Sequence, residues 1–144
     1  MIIIQIVMED GKQVLVPARF LSLALHLVAS VMLFFSYKDN IYVAYPDMTS
    51  TSDTRFTGGE ASFMVANVFT LICLGIEIVI LFTGVNMFKE RLNFILATTH
   101  LIGAILYVTY GFEQWQFDLL WALWAVFALI PTVIDIIASC YPQK

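Results

Sequence analysis

The sequence predicts an all-α membrane protein, an antiparallel bundle of four transmembrane helices with both termini in the cytoplasm. Three observations predict it. Long apolar stretches at residues 20–35, 61–85, 94–110 and 119–138 fill most of the chain. Small and polar residues recur inside those stretches at helical spacing. The lysines and arginines gather in alternate connecting segments. Each stretch holds about 16–25 residues, near the ~20 that a helix needs to cross a hydrocarbon core of roughly 30 Å. In lipid the backbone must satisfy its own hydrogen bonds, so each stretch is expected to be helical.

Composition agrees: 60% of the residues are hydrophobic and the mean hydropathy is +0.87. With 144 residues, a single tetraspan domain covers 1–144 and leaves no room for a separate soluble one. The expected spans are about 17–36, 61–85, 93–110 and 118–139, after a cytoplasmic N-terminal segment at 1–16. The net charge is −4 and no basic cluster occurs. Nucleic acid is therefore excluded as a partner, because binding phosphates requires Lys and Arg.

In the segment 1–16, Ile2-Ile3-Ile4 and Ile6-Val7 precede Glu9-Asp10-Gly11-Lys12, then Val14-Leu15-Val16. That pattern suits a small hairpin with an Asp-Gly turn. Pro17 suits the first turn of the helix that follows. Lys12 and Arg19 precede the first span, and Val28-Ala29-Ser30 resembles a signal-peptide cleavage site. The apolar run continues through Met32–Phe35, which suits a membrane anchor better. The stretch 48–59 is rich in Ser, Thr, Gly and Asp and reads as an exposed loop. Pro131 removes one backbone donor and is expected to bend the fourth helix.

Lys12, Arg19, Lys89, Arg91 and Lys144 belong to the first, third and final extramembrane segments. The opposite side carries Lys38 and Arg55 beside Asp39, Asp47, Asp53, Glu60, Glu113 and Asp118. The positive-inside rule places both termini and the turn 86–93 in the cytoplasm, with 36–60 and 111–118 outside. The outer side is also rich in Tyr and Trp (Tyr37, Tyr42, Tyr45, Tyr107, Tyr110, Trp115 and Trp121). Such rings favour the headgroup level.

Each span has a seam of small and polar residues. The first is Arg19, Ser22, His26, Ala29, Leu33 and Ser36; the second is Ala66, Thr70, Cys73, Glu77, Ile80 and Gly84. The third is Asn93, Ala97, His100, Ala104, Tyr107 and Gly111; the fourth is Asp118, Trp121, Ala125, Ala128, Thr132, Asp135 and Ser139. Spacings that alternate threes and fours mark the seam of a left-handed bundle. In lipid, small residues and interhelical hydrogen bonds drive helices together, because apolar burial does not. Ser22, Ala29, Cys73, Gly84, Ala97, Ala104, Ala125, Ala128 and Thr132 are the candidate packing positions.

Three ionisable residues lie within the hydrocarbon on these seams: His26, Glu77 and His100. Their depths from the cytoplasmic border are about 10, 16 and 12 Å at ~1.5 Å per residue, so they can meet. A lone carboxylate in lipid is costly, which requires Glu77 to be neutral or partnered. The simplest reading is a hydrogen-bonded cluster that fixes helix register. The alternatives are a proton or ion pathway, and a metal site of two His and one Glu. Histidines on different helices form no local metal motif. Asp135 is expected near the cytoplasmic end, solvated or paired with backbone donors.

Cys73, mid-span, reads as a small packing residue. Cys140 lies near a membrane border, where reversible palmitoylation is chemically open. No Asn-x-Ser/Thr acceptor occurs, so no N-glycan is expected. Neither a nucleophile–base pair, a Gly-rich phosphate loop nor a cysteine pair with metal spacing appears. Enzyme activity, cofactors and metals are therefore not expected.

The wording of the spans carries a resemblance. Val16-Pro17-Ala18-Arg19-Phe20-Leu21 runs on through Leu25-His26-Leu27-Val28 to Leu33-Phe34-Phe35-Ser36 and Asp39-Asn40-Ile41. Glu77 and Phe82 precede Gly84-Val85-Asn86-Met87-Phe88, and His100, Phe112-Glu113-x-Trp115 and Ala128-Leu129-x-Pro131 follow in order. The series resembles the transmembrane protein 107 family, tetraspan proteins of the ciliary transition zone. The likeness covers most of 16–138. The segment 1–13, the first outer loop and the tail after Tyr141, which lacks a lysine cluster, depart from it. The resemblance implies a non-enzymatic role: organising the transition zone, controlling ciliary membrane composition and supporting ciliogenesis. It implies partners among transition-zone membrane and scaffold proteins of the tectonic-like and Meckel-complex type, besides the lipid bilayer. The competing function is a small transporter or ion-handling subunit that uses His26, Glu77 and His100.

Overall fold

A computed structural model describes residues 2–48, 50–113 and 115–141, with side chains from Val14 onward. Four helices long and apolar enough to cross a membrane run at Val14–Ala44, Thr54–Thr83, Glu90–Glu113 and Leu119–Cys140. We label them α1 (Ile2–Ala44), α2 (Thr54–Thr83) and α3 (Glu90–Glu113), with the fourth span divided into α4 (Leu119–Trp124) and α5 (Ile130–Cys140). Among the described residues all regular structure is helical. Helix α1 packs mainly on α3, and α2 lies against α1 and the fourth span.

The segment before Pro17 differs from expectation. Helix α1 begins at Ile2 and carries Pro17 inside it, in place of a hairpin followed by a new helix. The side chains of 1–13, Lys12 among them, lie outside the described residues, as does Lys144.

The first outer segment also differs. Helix α1 continues to Ala44 and α2 starts at Thr54, so only 45–53 is non-helical. Asp53 caps α2, its Oδ1 accepting from the backbone N–H of Arg55 at 2.8 Å, which satisfies an orphan donor of the first turn. The second half of the Ser/Thr/Gly-rich stretch, 54–59, is helical because it packs. Ile41 is fully buried, and a Cβ at Gly59 would lie 3.2 Å from Cγ2 of Ile41. Tyr42 meets Phe56 at 5.6 Å between ring centroids, Tyr37 meets Phe63 at 6.2 Å and Tyr45 meets Phe117 at 5.9 Å. The aromatic residues of this end, expected at the headgroup level, pack into a core. On its surface Arg55 pairs with Asp47 and Asp53, each at 2.9 Å. Hydrogen bonds from that guanidinium hold both carboxyls below the usual carboxylate range.

At the opposite end Gly84 closes α2 with φ +72°, a left-handed conformation that favours glycine. Its role is therefore to end the helix; it is only half-buried and is not a packing position.

The fourth span contains a π turn at Ala125–Leu129, with the Ile130 N–H bonded to the Ala125 carbonyl. Pro131 follows directly and lacks the N–H that the next α-helical bond would need. The π turn also shifts register. Before it the buried positions are Leu120 and Leu123, within it Ala128, and after it Pro131, Thr132 and Asp135. Ala125 is half-buried and Asp118 exposed, because the expected seam ran through the inserted turn without a break. On α3 the buried stripe is Asn93, Leu96, His100, Gly103, Ala104, Tyr107 and Tyr110, so Leu96 replaces the expected Ala97. Ser22, Ala29, Cys73, Ala104, Ala128 and Thr132 are buried.

Candidate functional site

Two polar layers cross the bundle interior. The middle layer takes one side chain from each span. Glu77 of α2 is fully buried and sits 2.7 Å through Oε2 from Nε2 of His100 on α3. Its Oε1 lies 2.8 Å from Oγ1 of Thr132 on α5, which donates to it. Nδ1 of His100 lies 3.2 Å from Nδ1 of His26 on α1. The structure thus brings together the three ionisable side chains of the seams and adds Thr132, a packing candidate, as the fourth member.

Chain geometry explains the meeting. His26, Glu77, His100 and Thr132 fall on the buried stripe of each helix, one per span. Gly103 makes room for it. A Cβ there would stand 2.8 Å from Cε1 of His26 and 3.0 Å from Cβ of Phe127, closer than packed atoms allow. The His26 ring also meets Tyr107 at 4.8 Å and 73°, an edge-to-face contact. The Tyr107 hydroxyl is 2.8 Å from Oγ1 of Thr70 on α2. A carboxyl group is accommodated in the hydrocarbon here because hydrogen bonds from His100 and Thr132 replace its hydration.

The second layer sits at the end of the bundle where α1 enters and α5 leaves the membrane. Arg19 and Asp135, both fully buried, form an ion pair at 2.5 Å. Arg19 also donates through Nη1 to Oδ1 of Asn93 at 2.9 Å. Asn86 donates to Oδ1 of Asp135 at 2.8 Å and to Oγ of Ser139 at 2.8 Å. Asn93 in turn donates to the carbonyls of Asn86 and Met87, each at 3.0 Å. Lys89 donates to the carbonyls of Ala138 and Tyr141 at the end of α5, where a cation complements the helix dipole.

Asp135 is therefore neither solvated nor held by backbone donors alone, as the sequence had suggested; Arg19 neutralises it. Sequence placed Arg19 on the α1 seam and counted it among the cytoplasmic charges, but did not pair it. The signal was available: an aspartate on the buried stripe of one span and an arginine on that of another require partners. Asn67, whose amide donates to the carbonyl of Ser30 at 3.0 Å, and Gly103 were also missed. Both fit the spacing, Gly103 three residues after His100 and four before Tyr107 and Asn67 three before Thr70, but each seam was drawn one residue wide, through Ala104 and Ala66.

Among the described residues no three His, Cys, Asp or Glu stand where they could hold a metal ion. Apart from the two layers, a groove of about 570 Å³ opens between α1 and α3. Leu25, Met32, Ile105, Val108 and Phe112 are among its apolar walls. The chemistry that the layers permit is hydrogen bonding, charge pairing and proton exchange.

Comparison with known proteins follows the same spans. A family model described as TMEM107, transmembrane protein, matches residues 15–139. Transmembrane protein 107 of Danio rerio is 31% identical over 127 residues, covering 85% of this chain and 89% of its own. The Xenopus laevis protein of the same name is 27% identical, covering 85% of this chain and 86% of its own. The Homo sapiens protein is 28% identical, covering 84% of this chain and 85% of its own. No solved structure matches the chain.

Proposed function

Because this chain belongs to the transmembrane protein 107 family, we propose that it is a non-enzymatic membrane component of the ciliary transition zone. In this reading it organises the transition-zone complex and controls which membrane proteins enter the cilium, and so supports ciliogenesis. Family membership is the observation that carries it, and the matched residues 15–139 contain both polar layers. The structure supports a scaffolding mode of action. Polar side chains inside the spans are engaged mainly with one another, so the four helices hold a fixed register. Partners meet the lipid-facing sides and the two ends.

The Lys/Arg asymmetry supports cytoplasmic termini, with the aromatic end of the bundle outside. Lys89, beside the buried Arg19–Asp135 pair, then marks the cytoplasmic border. The expected partners are transition-zone membrane and scaffold proteins of the tectonic-like and Meckel-complex type.

A fluorescent fusion in a ciliated cell tests the reading. Signal confined to the ciliary base, with altered ciliary membrane content after loss of the protein, is the expected result. Spread over plasma or organelle membranes, with normal ciliary cargo, would overturn it. The second reading, a small ion-handling subunit, draws on one observation: His26, His100 and Glu77 form an unbroken hydrogen-bonded line. It requires that Glu77→Gln abolish function while abundance and localisation stay normal.

A further inference from the structure

The middle layer forms a continuous path for exchangeable protons. It starts at Nε2 of His26, which is fully buried and has no hydrogen-bond partner. It crosses the ring to Nδ1, 3.2 Å from Nδ1 of His100. It crosses the second ring to Nε2, 2.7 Å from Oε2 of Glu77. The carboxyl then reaches Oγ1 of Thr132, 2.8 Å from Oε1. Each imidazole nitrogen on this path can donate or accept, depending on where the protons sit.

We infer that His26, His100 and Glu77 together form a buried site for one proton, taken up at Nε2 of His26 and delivered to the Glu77 carboxyl.

The proton count closes. With Glu77 as carboxylate and both rings neutral, His100 carries its hydrogen on Nε2 and donates to Oε2. Its Nδ1 then accepts from the Nδ1–H of His26, which leaves a bare lone pair on Nε2 of His26. A hydronium ion gives its proton to that lone pair and departs as water. The Nδ1 proton of His26 passes to Nδ1 of His100, and the Nε2 proton of His100 passes to Oε2 of Glu77. Both rings end neutral in the opposite tautomer and Glu77 ends as the acid. Net charge in the layer has gone from −1 to 0. No bond between heavy atoms has formed or broken.

Thr132 serves both states. Its hydroxyl lies 2.8 Å from Oε1 of Glu77 and also 2.8 Å from the carbonyl of Ala128. One hydroxyl proton satisfies one acceptor at a time. It serves the carboxylate when Glu77 is charged and the Ala128 carbonyl when it is not. The cost of a buried carboxylate with no counter-cation, which its two hydrogen bonds offset only in part, supplies the driving force for uptake.

The surroundings leave this path as the local place for the proton. From α1, Arg19 lies toward the bundle end and is paired with Asp135 of α5. From α2, the nearby groups are Cys73 and Thr70. From α3, Tyr107 packs on His26 and bonds Thr70. Gly103, directly behind the His26 ring, keeps that ring against His100.

The test uses the full chain in lipid nanodiscs. Nitrogen NMR of labelled histidine reads the tautomer of each ring across roughly pH 4–9, and infrared spectroscopy reads the protonated Glu77 carboxyl. The expected result is one coupled step of about one proton per chain, in which both tautomers swap as the acid band appears. In Glu77→Gln the joint swap is lost. In His26→Phe the acid band stops following bulk pH or follows at least about tenfold more slowly, because the uptake atom is gone. Separate titration of the two rings, no change in either ring, or an unaltered Glu77 response in His26→Phe overturns the inference. The wild-type titration alone decides whether the step is shared, so a variant that fails to fold leaves the test intact. Ciliary localisation is read separately by the fusion, and neither result depends on the other.

Discussion

Asp135→Ala is the most informative single change. It removes the carboxylate from Arg19, which has no solvent exposure. The Arg19 guanidinium would keep its bond to Oδ1 of Asn93, while its Nε already lacks a partner. Asn86 would lose its bond to the Asp135 carboxylate and keep those to the Asp135 carbonyl and Ser139. Removing one partner of a buried ion pair costs about 3–5 kcal/mol, because the other charge stays desolvated. Arg19 lies near a membrane border and its long stem can snorkel, which lowers the expected loss to about 2–4 kcal/mol. The double variant Arg19→Met/Asp135→Ala removes both charges and is expected to recover most of that loss. The assay is a double-mutant cycle on unfolding in detergent micelles, with cellular abundance measured alongside. Additive losses, or an Asp135→Ala variant as stable as the parent, would refute the argument that the pair holds the first and last spans together.

Three further outcomes follow from the geometry. Glu77→Gln is expected to be mild for abundance, since an amide still bonds Thr132 and His100. Glu77→Leu is expected to be worse by about 0.6–2 kcal/mol, the range of interhelical hydrogen bonds in membranes; equal abundance of the two variants sinks the register role of the cluster. Gly103→Ala is expected to cost about 1–3 kcal/mol through overpacking against His26 and Phe127, whereas Gly58→Ala, with nothing within 4 Å of the new Cβ, should be neutral or slightly stabilising. If Gly103→Ala matches Gly58→Ala in thermal unfolding, the close fit of the His26 ring is disproved. A cysteine at Ser50 and the exposed native Cys140 should label from opposite sides of intact membranes while buried Cys73 stays protected; labelling of both from outside rules out the proposed orientation.

The four spans were legible because lipid leaves a long uninterrupted apolar signature. The meeting of His26, Glu77 and His100 was legible too, because ionisable groups inside a span must face the bundle. Partners at the bundle ends were harder to read. Arg19 and Asp135 are 116 residues apart, and near a border water competes as an explanation for any charge. Local punctuation also misled. Asp10-Gly11 and Gly58-Gly59 are turn signals, yet both pairs lie inside helices. For Gly59, the close packing of Ile41 and Phe117 outweighs the glycine's weak helix preference. The π turn had a sequence correlate in Pro131, but the bend expected from a proline does not reveal a one-residue change of register.

The unequal span lengths set a thickness gauge. The fourth span has 22 residues, about 33 Å at 1.5 Å per residue. The other three are longer, at 31, 30 and 24 residues. The fourth span is the shortest of the four, so it sets the thickest bilayer that all four helices cross unaided. A sterol-rich membrane of roughly 32–33 Å matches it closely, while an endoplasmic-reticulum bilayer near 27 Å forces it to lean. Bilayer thickness is thereby a variable that acts on the bundle independently of any protein contact.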